Sequence, residues 1–585
     1  MKEKRIIYLI MGVSSILILL IGITTAWFTW QSETNTNVTF EVSGLNITST
    51  NTNITGTLYP TMDKNNGVVE EFTIKQNNDI STPVCANITL TLTTLPTELN
   101  HESFRYKIYN GTNLVGSGNF ANTLEGETIT IATSQPITTT LSTYKLYIWI
   151  DGENYDNPLS MGGKTFLFKL GITANQQQNA CNPSIVEELN APELVSGMIP
   201  IKYDGTKWVK ASTTTANDWY DYTNKMWANA VMVTSETRGT YMNASAGTTI
   251  SEEDILAYYV WIPRYKYQLF NVDSTTMDPI EIQVEFEDGT PTKSTGTSNG
   301  EWLTHPAFTF GTDELKGIWV GKFSTTGSAE TPTIKPNIGM LANQNVSTQF
   351  TTSQKFGTTT YLTSTGVSEV DAHMMKNIEW GAVAYLKQSK YGLGTTDIGL
   401  NNYNSSPYLT GCGSTSGSAY STTCNAYNTT DGMLASTTGN ITGIYDMSAY
   451  TGTCVMGVMQ DNTGTNTPMS GYSSSSNSGF TGKVYASGNF TEYSGVSFPN
   501  SKYYDLYSYG TSESDYTRRI LGDATGEVHG WYDDFAGFVN SGYPWFVRGL
   551  VFSDYPASAG VFSFSLYDGV PGPELVFRSV LAPGA

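Results

Sequence analysis

Charge is scarce in this chain. Only 14% of its 585 residues are Asp, Glu, Lys or Arg, far from the charge-rich composition of disordered chains. The charge present leans acidic, at a formal net −21. That excludes nucleic acid as a partner, because phosphates require a basic face. Histidine is rarer still: His101, His305, His373 and His529 lie scattered, and no cysteine pair has C-x-x-C spacing, which excludes a zinc centre. The five cysteines, Cys85, Cys181, Cys412, Cys424 and Cys454, are too few for a disulfide scaffold. Cys412 and Cys424 flank a Gly/Ser/Tyr loop and are the candidates for a local bridge outside the cell. No G-x-S-x-G, H-E-x-x-H or Walker loop occurs. Asp533-Asp534 and Asp151-Gly-Glu153 lack the spacing of an EF-hand. The sequence therefore calls for no cofactor, no metal ligand and no catalytic residue.

The polar remainder is Thr, Ser, Asn and Gly, residues of strand faces and turns. Aromatics at 12% are enough to build cores, and the length requires two or three domains. Lys2-Glu-Lys-Arg5 precedes an uncharged run from Ile6 to Trp27. As a helix that run reaches about 33 Å, enough to cross a bilayer core. Its basic flank predicts an inside N-terminus and export of the rest. Thr24-Thr25-Ala26 also offers a signal-peptide cleavage site, so residues 1–30 read as either anchor or signal.

From residue 31 to 175 apolar residues alternate with Thr: Val38-Thr-Phe-Glu-Val42, Ile88-Thr-Leu-Thr-Leu92, Thr128-Ile-Thr-Ile131, Leu146-Tyr-Ile-Trp-Ile150 and Thr165-Phe-Leu-Phe-Lys-Leu170. Period-two runs separated by Asn/Gly turns predict an antiparallel sandwich of immunoglobulin or jelly-roll type. The junction Ala26-Trp-Phe-Thr-Trp30 running into Asn37-Val-Thr-Phe40 resembles camelysin-like biofilm-fibre proteins of Gram-positive bacteria. A polar stretch without periodicity, 176–190, follows as a linker.

Beyond the linker the texture changes to aromatic strands such as Tyr258-Tyr-Val-Trp-Ile-Pro263 and Gly317-Ile-Trp-Val-Gly-Lys-Phe323. Trp380, Val383 and Ala384 keep helical spacing. Residues 411–482 are rich in Ser, Gly, Thr and Tyr and read as long insertions. Three landmarks follow in order: Glu379-Trp380 at a helix start, Asp446-Met447-Ser448, and Arg548-Gly549 with Phe577-Arg578 at the end. In that order they resemble the formylglycine-generating-enzyme type of C-type lectin fold. The likeness implies structural roles for Trp380, Arg548 and Arg578, and a ligand-facing surface between the two arginines. The enzyme of that family needs thiols in this region, because the thiolate is the reactive species. This chain has no cysteine after Cys454, so the likeness implies a binding scaffold without that chemistry. After Ser448 the family has Gly-Asn and then Trp-Glu, whereas here Ala449-Tyr-Thr-Gly-Thr-Cys454 follows.

The same segment is similar to the lectin-fold target proteins of diversity-generating retroelements. Residues 550–576 contain no Asn, and only Glu574 falls outside the set that adenine randomisation of Asn codons permits. Ligand-contacting residues on this reading are Leu550, Val551, Phe552, Asp554, Tyr555, Leu566, Tyr567, Asp568, Leu575 and Val576, within a segment 545–580. Tyr-rich and Ser-rich surfaces suit adaptable recognition.

The expected architecture is thus an N-terminal membrane or signal helix, an all-β sandwich, and an α+β C-type-lectin-like domain over 191–585 with long insertions. The expected function is that of an exported, surface-displayed bacterial receptor or adhesin. Its ligand would be a protein or glycan on another cell, a phage or a host, with the membrane engaged through the N-terminal helix. A structural fibre or matrix subunit is the alternative, and an enzyme of the formylglycine-generating type a more distant one.

Overall fold

The computed structural model describes residues 28–584 apart from internal stretches, the longest being 77–83, 182–189, 399–410, 413–424 and 550–558. The expected membrane or signal helix, residues 1–27, lies outside the described residues. Among the described residues no helix is long and apolar enough to cross a membrane. The chain divides into two compact units near Glu188.

In the first unit, Lys164–Gln176 is the hub of a five-stranded sheet, pairing antiparallel with Phe28–Gln31, Asn53–Leu58 and Val84–Thr94. A seven-stranded sheet centres on Ser142–Asp151, which lies between Val68–Gln76 and Phe104–Asn110. Both inner faces share one apolar core. The alternation explains why: Ile88, Leu90 and Leu92 from one sheet are buried, as are Tyr144, Leu146, Ile148 and Ile150 from the other. Phe104, Phe120, Phe166 and Phe168 pack ring to ring with centroids 4.6–6.1 Å apart. A Cys85–Cys181 disulfide, 96 residues apart in sequence, joins a core strand to the segment following Lys164–Gln176. It places part of the expected linker firmly on the first unit. Of the bridge expected from the Cys412–Cys424 spacing, Cys424 and the side chain of Cys412 lie outside the described residues.

The second unit corrects the α+β expectation. Its described residues hold three short α-helices: α1 (Ser235–Asn243), α2 (Val346–Ser353) and α3 (Asn377–Lys387). Sheets form the rest of its frame. A seven-stranded antiparallel sheet runs Trp208–Lys210, Ile199–Tyr203, Asn229–Val233, Ile255–Pro263, Gly317–Gly321, Ser579–Pro583, Val370–Met374. A five-stranded mixed sheet centres on Gly452–Met459, and a four-stranded sheet follows it around Met469–Ser473 and Gly482–Ala486. The 411–482 region is therefore not simply inserted loop, because all eight residues of Gly452–Met459 are buried. The apolar spacing at Trp380, Val383 and Ala384 does form a helix, but every residue of α3 is buried. A helix buried all round marks the middle of a large core, here one walled by strands rather than balanced by further long helices. An α+β lectin domain is not the architecture of this unit.

Candidate functional site

Within the second unit a cleft of about 480 Å³ opens beside the edge of the seven-stranded sheet. Its size falls in the range of small-ligand sites. One wall is a hairpin. Tyr203 ends one strand and pairs directly with Trp208, which starts the next. Between them runs Asp204-Gly-Thr-Lys207, where Asp204 Oδ1 accepts from the backbone N–H of Thr206 and Lys207, each at 2.9 Å. Gly205 adopts φ 100°, a left-handed conformation that a side chain would strain. The cross-strand register brings the Tyr203 and Trp208 rings edge to face at 5.3 Å.

Behind this wall sits Lys322, fully buried. Its ammonium donates to Asn229 Oδ1 at 2.8 Å and to the carbonyls of Ile441 and Gly443 at 2.6 and 2.8 Å. It also lies 5.2 Å from the Trp208 ring and 5.4 Å from the Tyr445 ring. Burial pushes its pKa well below the usual lysine range. Three oriented oxygens and two ring faces oppose that effect, since buried charges are tolerated when fully hydrogen-bonded. Trp208 Nε1 donates to the Tyr427 hydroxyl at 3.0 Å, and Tyr445 donates to the Tyr427 carbonyl at 3.0 Å. The aromatic wall is thus fixed from inside the core.

The rest of the lining comes from two segments. Glu252 and Glu253 precede the strand Ile255–Pro263, and Lys335-Pro-Asn337 follows a bridge between Ile334 and Ala257. Lys335 Nζ donates to the Glu252 carbonyl at 2.7 Å, holding the segments together. Thr206, Lys207 and Asn428 complete the rim. Tyr258 is fully buried behind the lining, and its hydroxyl interacts with Glu252. Burial, with Tyr427 and Glu252 nearby, keeps that phenol protonated well above its usual pKa. With two lysines and two glutamates, the lining is balanced in charge.

Those residues singled out from the sequence that the structure describes lie elsewhere. Leu550, Val551, Phe552, Asp554 and Tyr555 are outside the described residues. Leu566 and Tyr567 are half-buried on the strand Phe564–Tyr567, with Tyr567 against an apolar cluster of the five-stranded sheet. Asp568 accepts a hydrogen bond from Ser476. Leu575 is half-buried against the same cluster. Val576 is wholly buried and packs with Met340, so it offers no ligand surface. Its strand pairs with Gly452–Met459, which draws it into the core.

Trp380, Arg548 and Arg578 are all fully buried. Trp380 Nε1 donates to the Val561 carbonyl at 2.8 Å. Arg548 donates to the Ala524 carbonyl at 2.7 Å, and its guanidinium lies 5.6 Å from the Trp380 ring. Arg578 donates to the carbonyls of Gly321, Tyr445 and Asp446. Burial lowers the pKa of both arginines to about 10.

A second polar concentration surrounds α3. His373 bridges Glu379 at 2.9 Å and Asp371 at 3.2 Å. Burial opposes its charge, but those two carboxylates raise its pKa to about 9. On the other side Asp505 accepts from the Ile378 N–H at 2.8 Å, and Tyr507 donates to Asp523 at 2.9 Å. Tyr385 donates to Glu527 at 2.8 Å. Burial raises Asp505 and Glu527 to about 7, and burial with Asp397 nearby raises Asp534 to about 8. These groups are enclosed in the core and hold α3 in place.

Sequence reasoning missed the cleft. The Asp204-Gly205 turn between Tyr203 and Trp208 was a usable hairpin signal. Tyr427, 219 residues from Trp208, carried no local signal at all. No known protein family matches the chain, and no curated protein does.

Proposed function

We propose that this chain is an exported binding protein whose second unit holds a ligand in the Tyr203–Trp208 cleft. The observation that carries the reading is the preformed, charge-balanced lining, anchored from within by Lys322. A rigid concave surface with an aromatic wall and a few convergent polar groups is what small-ligand sites share. Export is supported by the Cys85–Cys181 bridge, since disulfides persist in oxidising surroundings. The basic flank and apolar run of residues 2–27 support it independently.

The test has two arms. Protease treatment of intact producing cells is expected to release peptides from 199–545; protection until lysis would remove export. The full chain, immobilised, is expected to retain material from the extracellular polymer of the same culture. Glu252→Lys combined with Tyr203→Ala is expected to abolish that retention. Equal retention by the variant would remove the cleft as the site.

A further inference from the structure

We infer that two copies of this chain pair edge to edge through the strand Asn489–Tyr493, antiparallel and centred on Thr491. That strand is the outer edge of the four-stranded sheet, where it pairs with Gly482–Ala486. The opposite edge, Ser476–Asn477, is two residues long and joined through a register shift. Short, irregular edges resist pairing with another chain. Asn489–Tyr493 has neither protection: its five residues pair without a shift, and no proline interrupts them. Asn489, Thr491 and Glu492 are exposed. The turn decides which backbone groups face outward. Ser487 and Gly488, at φ 53° and 84°, form the two-residue loop of a tight hairpin closed by Ala486 and Asn489. The closing pair is hydrogen-bonded, and bonded pairs alternate with non-bonded ones along an antiparallel ladder. Phe490 and Glu492 therefore turn their N–H and C=O groups away from the hairpin. Among the described residues no other segment bonds to either backbone.

The strand is complementary to itself in one register. Centring a two-fold axis on Glu492 sets two carboxylates directly opposite, which is unfavourable. Centring it on Phe490 brings Glu492 against Gly488, whose positive φ belongs to the turn and not to a strand. Centring it on Thr491 places Phe490 opposite Glu492 on both sides of the axis, so four backbone hydrogen bonds form. Thr491 then lies beside its own copy, a favourable cross-strand pair. The contact is also neutral, although the chain carries a net −21, because Lys483 forms an ion pair with Glu492. Phe490 is held by Tyr485 and Tyr509, with ring centroids 4.9 and 5.9 Å away, so the edge is fixed before a partner arrives. Five residues span about 17 Å, and the contact falls short of the standard interface of about 1,600 Å². The association is therefore weak and depends on concentration.

Cross-linking captures a weak pair and reads its register. The full chain carrying Thr491→Cys is oxidised mildly and separated without reductant. Across the axis the two Cα atoms lie about 4.5 Å apart, within disulfide range. A covalent dimer is expected at about tenfold or more above the parent chain, whose own cysteines set the background. Glu492→Cys, which faces Phe490 of the other copy, is expected to stay near that background. Chains with Asn489→Cys are expected to join chains with Tyr493→Cys when mixed, and neither is expected to dimerise alone. Glu492→Pro added to Thr491→Cys removes an outward N–H and leaves the hairpin ladder whole. The dimer is then expected to be lost with the melting midpoint unchanged. If that variant melts early, the mixture of Asn489→Cys and Tyr493→Cys chains decides alone. Thr491→Cys at background, an equal dimer from Glu492→Cys, no dimer from the mixture, or a dimer that survives Glu492→Pro in a folded chain would overturn the pairing.

Discussion

The two units solve the same problem with different chemistry. The first closes two sheets over an apolar core and adds a disulfide. Among the described residues, every charged side chain with no solvent exposure belongs to the second: Arg264, Lys322, Glu379, Lys387, Asp523, Glu527, Arg548 and Arg578, with His305 and His373 beside them. Apolar burial is non-directional and tolerates rearrangement. A buried charge stands only where its partners are held at hydrogen-bond distance, so it penalises every alternative packing. The first unit is built to persist. The second is built to keep particular segments, including the walls of the cleft, in one arrangement.

That contrast can be broken first at the disulfide. Replacing Cys85 and Cys181 with Ser is expected to destabilise the first unit by about 4.7 kcal/mol, the loop-closure value for a separation near one hundred residues. Calorimetry is expected to show its transition falling while that of the second unit stays put. A shift shared by both transitions would mean that the units do not melt independently. Arg578→Leu is the converse. It leaves buried carbonyls at Gly321, Tyr445 and Asp446 without a donor, and about 3 kcal/mol is expected to be lost from the second unit alone. A change within about 0.5 kcal/mol, the surface value, would contradict the burial.

Acidity is expected to separate the units next. Asp505 and Glu527, raised to about 7, and Asp534, raised to about 8, titrate in the folded state far above the ordinary carboxylate range. A raised folded pKa gives stability that is complete below the unfolded value and lost as pH rises through the folded one. His373, raised to about 9, has the same sign. Asp371, lowered to about 2 by His373, Tyr503 and Lys502 against its burial, has the opposite sign and weakens the unit only in strong acid. His305, Lys322 and Lys387, whose pKa values burial lowers, have the opposite sign and offset part of the effect. The second unit is expected to lose stability between pH 5 and pH 9, with little movement in the first. Thermal melts followed across that range check it, and a second unit that strengthens toward pH 9 would contradict the sign. The smallest effect is expected at the cleft hairpin. Gly205→Ala meets no neighbour but must hold φ near 100°, so about 1 kcal/mol should go from the second unit. An unchanged melting midpoint would show that the turn relaxes.

The sequence was legible where one face of an element meets water. Ile88-Thr-Leu-Thr-Leu92 alternates because Thr89 and Thr91 leave the core while Ile88, Leu90 and Leu92 enter it. Gly452–Met459 was illegible for the opposite reason. Buried on both faces, it has no polar beat, and its Gly, Thr, Cys and Met residues read as loop. The helical spacing around Trp380 was real, yet full burial of α3 gave it no polar face from which to judge how much helix the unit holds. Cysteine arithmetic favoured the near pair, Cys412 and Cys424, because spacing is all that sequence offers; Cys85 and Cys181, 96 residues apart, meet only once Val84–Thr94 pairs with Lys164–Gln176. The cleft fared worst. Its Tyr203–Trp208 wall is local, but Glu252, Lys335 and Tyr427 are brought to it by sheet order.

Sheet order also has a consequence in time. The strand Ser579–Pro583 lies between Gly317–Gly321 and Val370–Met374, next to the last strand of the seven-stranded sheet. Every other strand of that sheet precedes it in the chain by more than two hundred residues, so the sheet has a gap beside Val370–Met374 until these five residues arrive. Until then two strands present bare backbone edges, the surfaces most prone to pair wrongly, and long-range closures of this kind are slow. A chain emerging N-terminus first would complete its first unit early and carry an unfinished second one. Residues 579–583 act as a latch, and whatever holds the growing chain must shield those edges until it closes.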